Sequence, residues 1–220
     1  MSLKTLLFIH FLGTVPIIWQ TSVTEEVGYV MIVSKNVVFK NRRPKYMTMM
    51  EEHLEETTKS IRCMVLTVKD SCSYEDDESG ALVRSMLEEE GHCVTEYQIV
   101  NAEYSLIQHW IKIAAIRADV DAILITGGTG IALHDTTHEA VRDSLDKEMP
   151  GFGELFRHLS FKEEIGTAAI LSRAIAGVRD GKAIFSMPRP TGAIQLAMDR
   201  IILPEIGSVM KEILMDKVRV

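Results

Sequence analysis

Residues Asp121 to Ala140 read DAILITGGTGIALHDTTHEA. An apolar run gives way to Gly127, Gly128, Thr129 and Gly130, and Asp135 follows just before a helix-start pattern at Thr136 and Glu139. Glycines at such a point permit positive φ and let a ligand approach the main chain, so successive amides can converge on an anion. The following helix start, with Thr136 and Glu139 spaced as a capping box, also favours negative charge. A carboxylate in that place repels a phosphate unless a divalent cation bridges the two. Mg²⁺, which takes one or two carboxylates plus phosphate oxygens, suits the pair. Two plainer readings stand beside this one: a tight strand–helix turn with no ligand, and an Asp135 that only complements the helix dipole, at under ~1 kcal/mol. The loop is neither a Walker A motif, lacking Gly-Lys-Ser/Thr, nor a GxGxxG fingerprint, since position 133 is Leu.

The elements that must position this loop alternate. β-rich runs occur at Cys63–Val68, Val94–Val100, Ala122–Thr126 and Ala183–Met187, and helical patterns at Ser79–Glu90, Tyr104–Arg117, Thr136–Lys147, Glu164–Val178 and Gly192–Leu203. Strands separated by helices of this length imply βαβ units. AILIT is apolar nearly throughout, as a strand covered on both faces should be. The expected fold is therefore α/β, a mostly parallel sheet with helices on both faces. In such sheets ligands sit beyond the carboxyl ends of the strands. Loops 69–80, 101–103, 127–136 and 187–192 should then share one cleft.

The chain of 220 residues, 46% hydrophobic and 25% charged, has the composition of a globular protein. Its net charge of −7 argues against a nucleic-acid-coating surface. Cys63, Cys72 and Cys93 are widely spaced and form no CxxC, which argues against a disulfide framework or structural zinc and fits a reduced compartment. His92, His109, His138 and His158 show no metal-ligand spacing.

The start is atypical. Lys4 precedes an apolar run from Leu6 to Trp19, a signal-like arrangement too short for a transmembrane helix. Residues 1–48 read either as a targeting or anchoring extension or as upstream sequence ahead of a start at Met47, Met49 or Met50; the second is preferred and implies a cytoplasmic protein with no stable membrane association. Residues 49–60 form an acidic lead-in, and 61–220 the α/β domain.

TGGTGIALHDTTHEA resembles the TGGTG-x-x-x-x-D-x-T-x-E-A signature of the MoaB/MogA family of molybdenum cofactor biosynthesis proteins. The likeness extends through LTVKDSCSYEDDESG (66–80), MPGFGELFRHLS (149–160), IGTAAILSRAIAGVRDGKAIFSMP (165–188) and LPEIG (203–207), and is closer to the MoaB-type branch. The resemblance implies a three-layer α/β/α sandwich assembled as a trimer or hexamer. It also implies a molybdopterin adenylyltransferase joining the molybdopterin phosphate to the α-phosphate of ATP with Mg²⁺. Carried over by position, Asp135 would hold the metal. Gly127, Gly128, Thr129 and Gly130 would line a phosphate. Asp70, Ser71, Ser79 and Gly80 would form the facing loop, and Pro150, Gly151 and Phe152 the neighbouring rim. Nucleotidyl transfer needs positioning and charge neutralisation rather than a covalent nucleophile, and Arg157, Lys162 and Arg173 are the candidate cations, although for each a surface or helix-packing charge is the preferred reading. His134 stands where the family usually has Arg.

Two departures matter. The family's Val-Pro-Asp after its second strand reads Val100-Asn101-Ala102, with Glu103 one place on. The family's Pro-Gly-Ser-Pro after the last core strand reads Pro188-Arg189-Pro190-Thr191, so that Pro188 and Arg189 would stand at the ligand, with Arg189 either gripping a phosphate or pointing to solvent. A non-catalytic molybdopterin- or nucleotide-binding relative is therefore the alternative expectation.

Overall fold

The computed structural model of the chain describes residues 60–70 and 74–218, with side chains to 215, together with the backbone of four strands nearer the start. The chain divides into two compact units, Met1–Glu56 and Thr57–Val220. In the first, β1 (Thr5–Leu12), β2 (Val15–Ser22), β3 (Tyr29–Val33) and β4 (Asn36–Lys40) form an antiparallel meander. The apolar run expected to be signal-like lies in β1 and β2, a hairpin pairing Thr5 with Ser22 and Leu12 with Val15. Met47, Met49 and Met50 lie outside the described residues. Among the described residues no helix is long and apolar enough to cross a membrane.

The second unit is the expected three-layer α/β/α sandwich. Its strands are β5 (Arg62–Val68), β6 (Cys93–Val100), β7 (Ala122–Thr126), β8 (Lys147–Glu148), β9 (Ile175–Arg179) and β10 (Lys182–Met187), in the order β6-β5-β7-β10-β9-β8. The first four in that order are parallel, β9 runs antiparallel to β10, and β8 runs antiparallel to β9. The two faces of the sheet follow from side-chain alternation. On β5, β7 and β10, Cys63, Val65, Ala122, Leu124, Ala183 and Phe185 point to one face. There they pack beneath α1 (Glu78–Glu89), α4 (Pro150–Glu163), α5 (Thr191–Ala197) and α6 (Leu203–Val218) through Leu87, Phe156, Ile194 and Ile206. Met64, Leu66, Ile123, Ile125 and Ile184 point to the other. They are covered by Ile107, Ile111 and Val141 of α2 (Tyr104–Ile116) and α3 (Thr137–Arg142). Burial pushes the Cys63 thiol up to about 12, which keeps it inert; Cys93 is also unpaired, and Cys72 lies outside the described residues.

Three element expectations need correction. The helix expected over Glu164–Val178 is a 3₁₀ turn (Gly166–Leu171) followed by β9. Asp180 and Gly181, both at positive φ, close the β9–β10 hairpin, and an Asp-Gly pair between apolar runs is a hairpin signal that outweighs weak helical periodicity. Helix α3 ends at Arg142, short of the expected Lys147, because the chain turns there to reach β8. Pro150 opens α4, a helix hidden in the sequence by Gly151 and Gly153 but allowed by proline at its first position. The helix expected over Gly192–Leu203 runs on into α6 through a π turn at Met198–Ile202. Pro204, which cannot bond back to residue 200, sits at that junction.

Candidate functional site

The parallel strands end in one cavity of about 920 Å³, and the four loops expected to converge all line it. The chain leaves β5 outward to β6 and returns to β7 on the other side, so the crevice between β5 and β7 is the switch point of the sheet. Gly127 sits there at φ 98 with its Cα against the Val68 carbonyl, and a Cβ would collide with that oxygen. Gly128, at φ 62, is equally tight against the Thr137 side chain. The Gly127 amide donates to the Met187 carbonyl at 3.1 Å, tying the loop to the end of β10.

Asp135 lies over Gly130, whose missing side chain makes room for the carboxylate. The Ala132 amide donates to its Oδ2 at 3.3 Å, which closes a small ring over residues 132–135, and Gly130, His134 and Asp135 line the cavity. Behind this ring stands Arg173. Its guanidinium donates to the carbonyls of Thr129 (3.2 Å), Gly130 and Asp135 (3.0 Å) and pairs with the Glu139 carboxylate. That guanidinium holds the Glu139 carboxyl below the usual carboxylate range. Arg173 is thus a loop clamp, buttressed from behind where His138 Nδ1 meets the Arg173 carbonyl at 2.8 Å.

The expected capping box is absent. Thr136 occupies the cap position, but its hydroxyl donates to the Ala102 carbonyl at 3.1 Å, and Glu139 is taken by Arg173. Both side chains serve tertiary contacts that hold the loop to its neighbours. Ala102 is further fixed by its amide, which donates to Asp70 Oδ1 at 3.3 Å. Ala102 lines the cavity, whereas Glu103 does not: it sits at the start of α2 and accepts from the Ser105 hydroxyl. The one-residue shift turns its carboxylate out of the cleft.

Of the remaining expected site residues, Asp70, Ser79, Pro188 and Arg189 line the cavity, and the Ser79 hydroxyl donates to the Arg189 carbonyl at 3.1 Å. Ser71 lies outside the described residues. Gly80 lies behind the wall: a Cβ there would come within 2.6 Å of Thr67 Oγ1 and of the Tyr97 ring. It supports Asp77, whose buried carboxylate accepts from the Tyr97 hydroxyl; burial and that bond together raise the tyrosine's pKa. Pro150, Gly151 and Phe152 are not brought to the cavity. They form the first turn of α4, and Phe152 faces the core against Phe156 and Phe185. Arg157 lines a separate hollow, and Lys162 does not line the main cavity.

The sequence reading missed one whole wall, made by the end of α4 and the 3₁₀ turn: Phe156, Ser160, Glu164, Ile165, Leu171 and Ser172. The helix expected over Glu164–Val178 concealed its second half, and the helix Pro150–Glu163 that carries Phe156 and Ser160 was not expected at all. The lining is rich in acids, with Asp70, Asp76, Asp77, Glu78, Asp135 and Glu164 against Lys69 and Arg189. Among the described residues no three carboxylate, imidazole or thiol groups cluster as metal ligands.

The family described as a probable molybdopterin binding domain matches residues 64–208. The molybdenum cofactor biosynthesis protein B of Halalkalibacterium halodurans is 71% identical over 167 residues, 76% of this chain and 98% of that protein. The chain belongs to the molybdenum cofactor biosynthesis protein B family. The Bacillus subtilis member is 47% identical over the same shares. A crystal structure of a molybdenum cofactor biosynthesis protein B, 47% identical, superposes with a TM-score of 0.70 over 71% of this chain and 97% of that one. The tungsten cofactor synthesizing protein MoaB from Pyrococcus furiosus, 33% identical, gives 0.63 over 70% and 97%.

Proposed function

We propose that this member of the family acts in molybdenum cofactor biosynthesis as a molybdopterin adenylyltransferase, using ATP and Mg²⁺. The observation that carries the reading is the Asp135 carboxylate seated on Gly130, inside a glycine loop at the switch point of the sheet. A phosphate oxygen of molybdopterin attacks the α-phosphorus of ATP, the bond to the β-phosphate breaks, and pyrophosphate leaves. No covalent intermediate on the protein is required.

The lining fits Mg²⁺ as a bridging ion. One carboxylate with phosphate oxygens is the usual magnesium set, so the lack of a three-ligand cluster among the described residues is compatible with it. An acidic lining repels polyphosphate, and a divalent cation offsets that repulsion. When bound, Mg²⁺ neutralises charge developing on the transferred phosphate. The chain's own part is to hold and orient. Asp135 would hold the ion, the loop from Gly128 to Gly130 would receive a phosphate, and Arg173 keeps that loop rigid from behind. Arg189 stands on the opposite lip, where its exposed guanidinium can meet a phosphate.

A second reading, a non-catalytic molybdopterin- or nucleotide-binding protein, is favoured by Ala102, which puts a methyl group in the cleft where the family usually has a carboxylate. Incubation with molybdopterin and Mg-ATP separates the two: adenylylated molybdopterin and pyrophosphate support the first, whereas thermal stabilisation by the ligands without product supports the second. The proposal includes a cytoplasmic setting, consistent with unpaired Cys63 and Cys93, and assembly into a trimer or hexamer.

A further inference from the structure

We infer that the outer face of α4 packs against the same face of a second copy of this chain, antiparallel and across a two-fold axis at His158. The inference stands apart from the adenylyl-transfer reading and separates the two assemblies proposed for the chain. A ring of three copies has no two-fold axis, whereas two such rings joined face to face are related by such axes, so this contact makes the assembly a hexamer.

Helix α4 buries Phe152, Phe156 and Ser160 against the core, at steps of four residues. Its opposite stripe is Glu154, Leu155, His158, Phe161 and Lys162, all exposed, with Leu155 at 45% and Phe161 at 55%. Steps of three and four residues set these side chains along one narrow seam, the spacing by which two helices pack together. Beside the seam lies the hollow of about 390 Å³ lined by Arg157, His158, Phe161, Thr167, Ala169 and Ile170. Ile170, 81% exposed, stands at its edge, so apolar surface continues from the helix onto the 3₁₀ turn.

The order of residues along the seam selects the occupant. In an antiparallel pair centred on His158, a residue some places before it faces the residue as many places after it in the copy. Leu155, three places before, then faces the second copy's Phe161, three places after. Glu154, four places before, faces the second copy's Lys162. Each contact occurs twice, and His158 meets the second copy's His158. Apolar thus joins apolar and acid joins base, whereas a parallel pair in register would set Glu154 against Glu154 and Lys162 against Lys162. Within the chain both charges are free for this use. Among the described residues neither Glu154 nor Lys162 forms an ion pair, while the next acid, Glu163, is taken by Arg200. A seam that matches its own inversion is what an isologous contact requires, and an unrelated partner would not require it.

The test uses the full chain with Cys72 and Cys93 changed to serine, into which His158→Cys is introduced before mild oxidation. A residue on the axis meets its own copy, so disulfide-linked dimers are expected from His158→Cys. Leu155→Cys alone should give none, and Leu155→Cys with Phe161→Cys should give them again. Mass by light scattering supplies the second readout, with an even number of copies expected for the wild-type chain. Leu155→Asp should halve that number at the same concentration with the circular dichroism spectrum unchanged, because the side chain is half in solvent in the single chain. Glu154→Lys and Lys162→Glu should each weaken the pairing by about 10-fold, and the two together should restore it. No cross-link from His158→Cys, a wild-type assembly of three copies, or an assembly indifferent to Leu155→Asp overturns the contact.

Discussion

At the N-terminal ends of the parallel strands charges from several elements pair with one another. Arg62 grips Asp121 through both oxygens, at 2.9 and 2.8 Å, and its amide adds a third bond at 3.0 Å. Arg117 pairs with Glu96 and Asp119, and Lys182 caps the carbonyls of Arg117 and Val120. At the C-terminal ends the arrangement is reversed. Acids gather around a cavity of about 920 Å³, two buried serine hydroxyls on one wall lack partners, and three glycines bring the backbone close to neighbouring groups. The first end is a set of mutually satisfied charges. The second gathers like charge around an open cavity.

If this contrast is right, substitutions at the two ends must differ in kind. The largest effect is expected from Asp135→Asn, which removes the charge that would hold Mg²⁺. Adenylylation should fall by at least about 100-fold with the unfolding temperature unchanged. Next comes Gly127→Ala. A side chain at φ 98 against the Val68 carbonyl should cost roughly 2–4 kcal/mol by denaturant titration, and nucleotide binding should weaken with it. Arg173→Met removes the clamp behind the loop, and a loss of about 1–3 kcal/mol is expected, together with faster amide exchange across residues 128–135.

The smaller effects test the same contrast. The Glu139 pKa is lowered by Arg173, so its contribution is full at neutral pH and is lost as pH falls through a value below its ordinary 4.5. Acid titration of stability should therefore show a drop below pH 4.5 that is smaller in Glu139→Gln. Arg62→Ala, at the opposite end, should cost under about 1 kcal/mol, because the pair is partly exposed, and should leave turnover untouched. A large activity loss there would erase the distinction between the ends.

Much of this organisation is legible in the residues. The AILIT strand, the glycine loop and the helices α1 and α2 announce themselves by unbroken apolar runs or clear periodicity, and the convergence of four loops follows from parallel topology. What the sequence concealed was the wall of α4 and the 3₁₀ turn. There Pro150 and two glycines disguise a helix, while IAGVR carries small residues whose strand character comes from pairing with β10 and β8. The roles of Arg173 and Glu139 were hidden for another reason. Their partners are backbone carbonyls and each other, 34 residues apart, and local spacing has no means of showing it.

The central claim, that Asp135 and its loop support adenylyl transfer to molybdopterin, is most directly tested by mass spectrometry of molybdopterin incubated with the full chain, ATP and Mg²⁺. Adenylylated molybdopterin should form with the wild-type chain and be lost with Asp135→Asn or with excess chelator. Its absence from the wild-type reaction, or its undiminished formation by Asp135→Asn, would contradict the account.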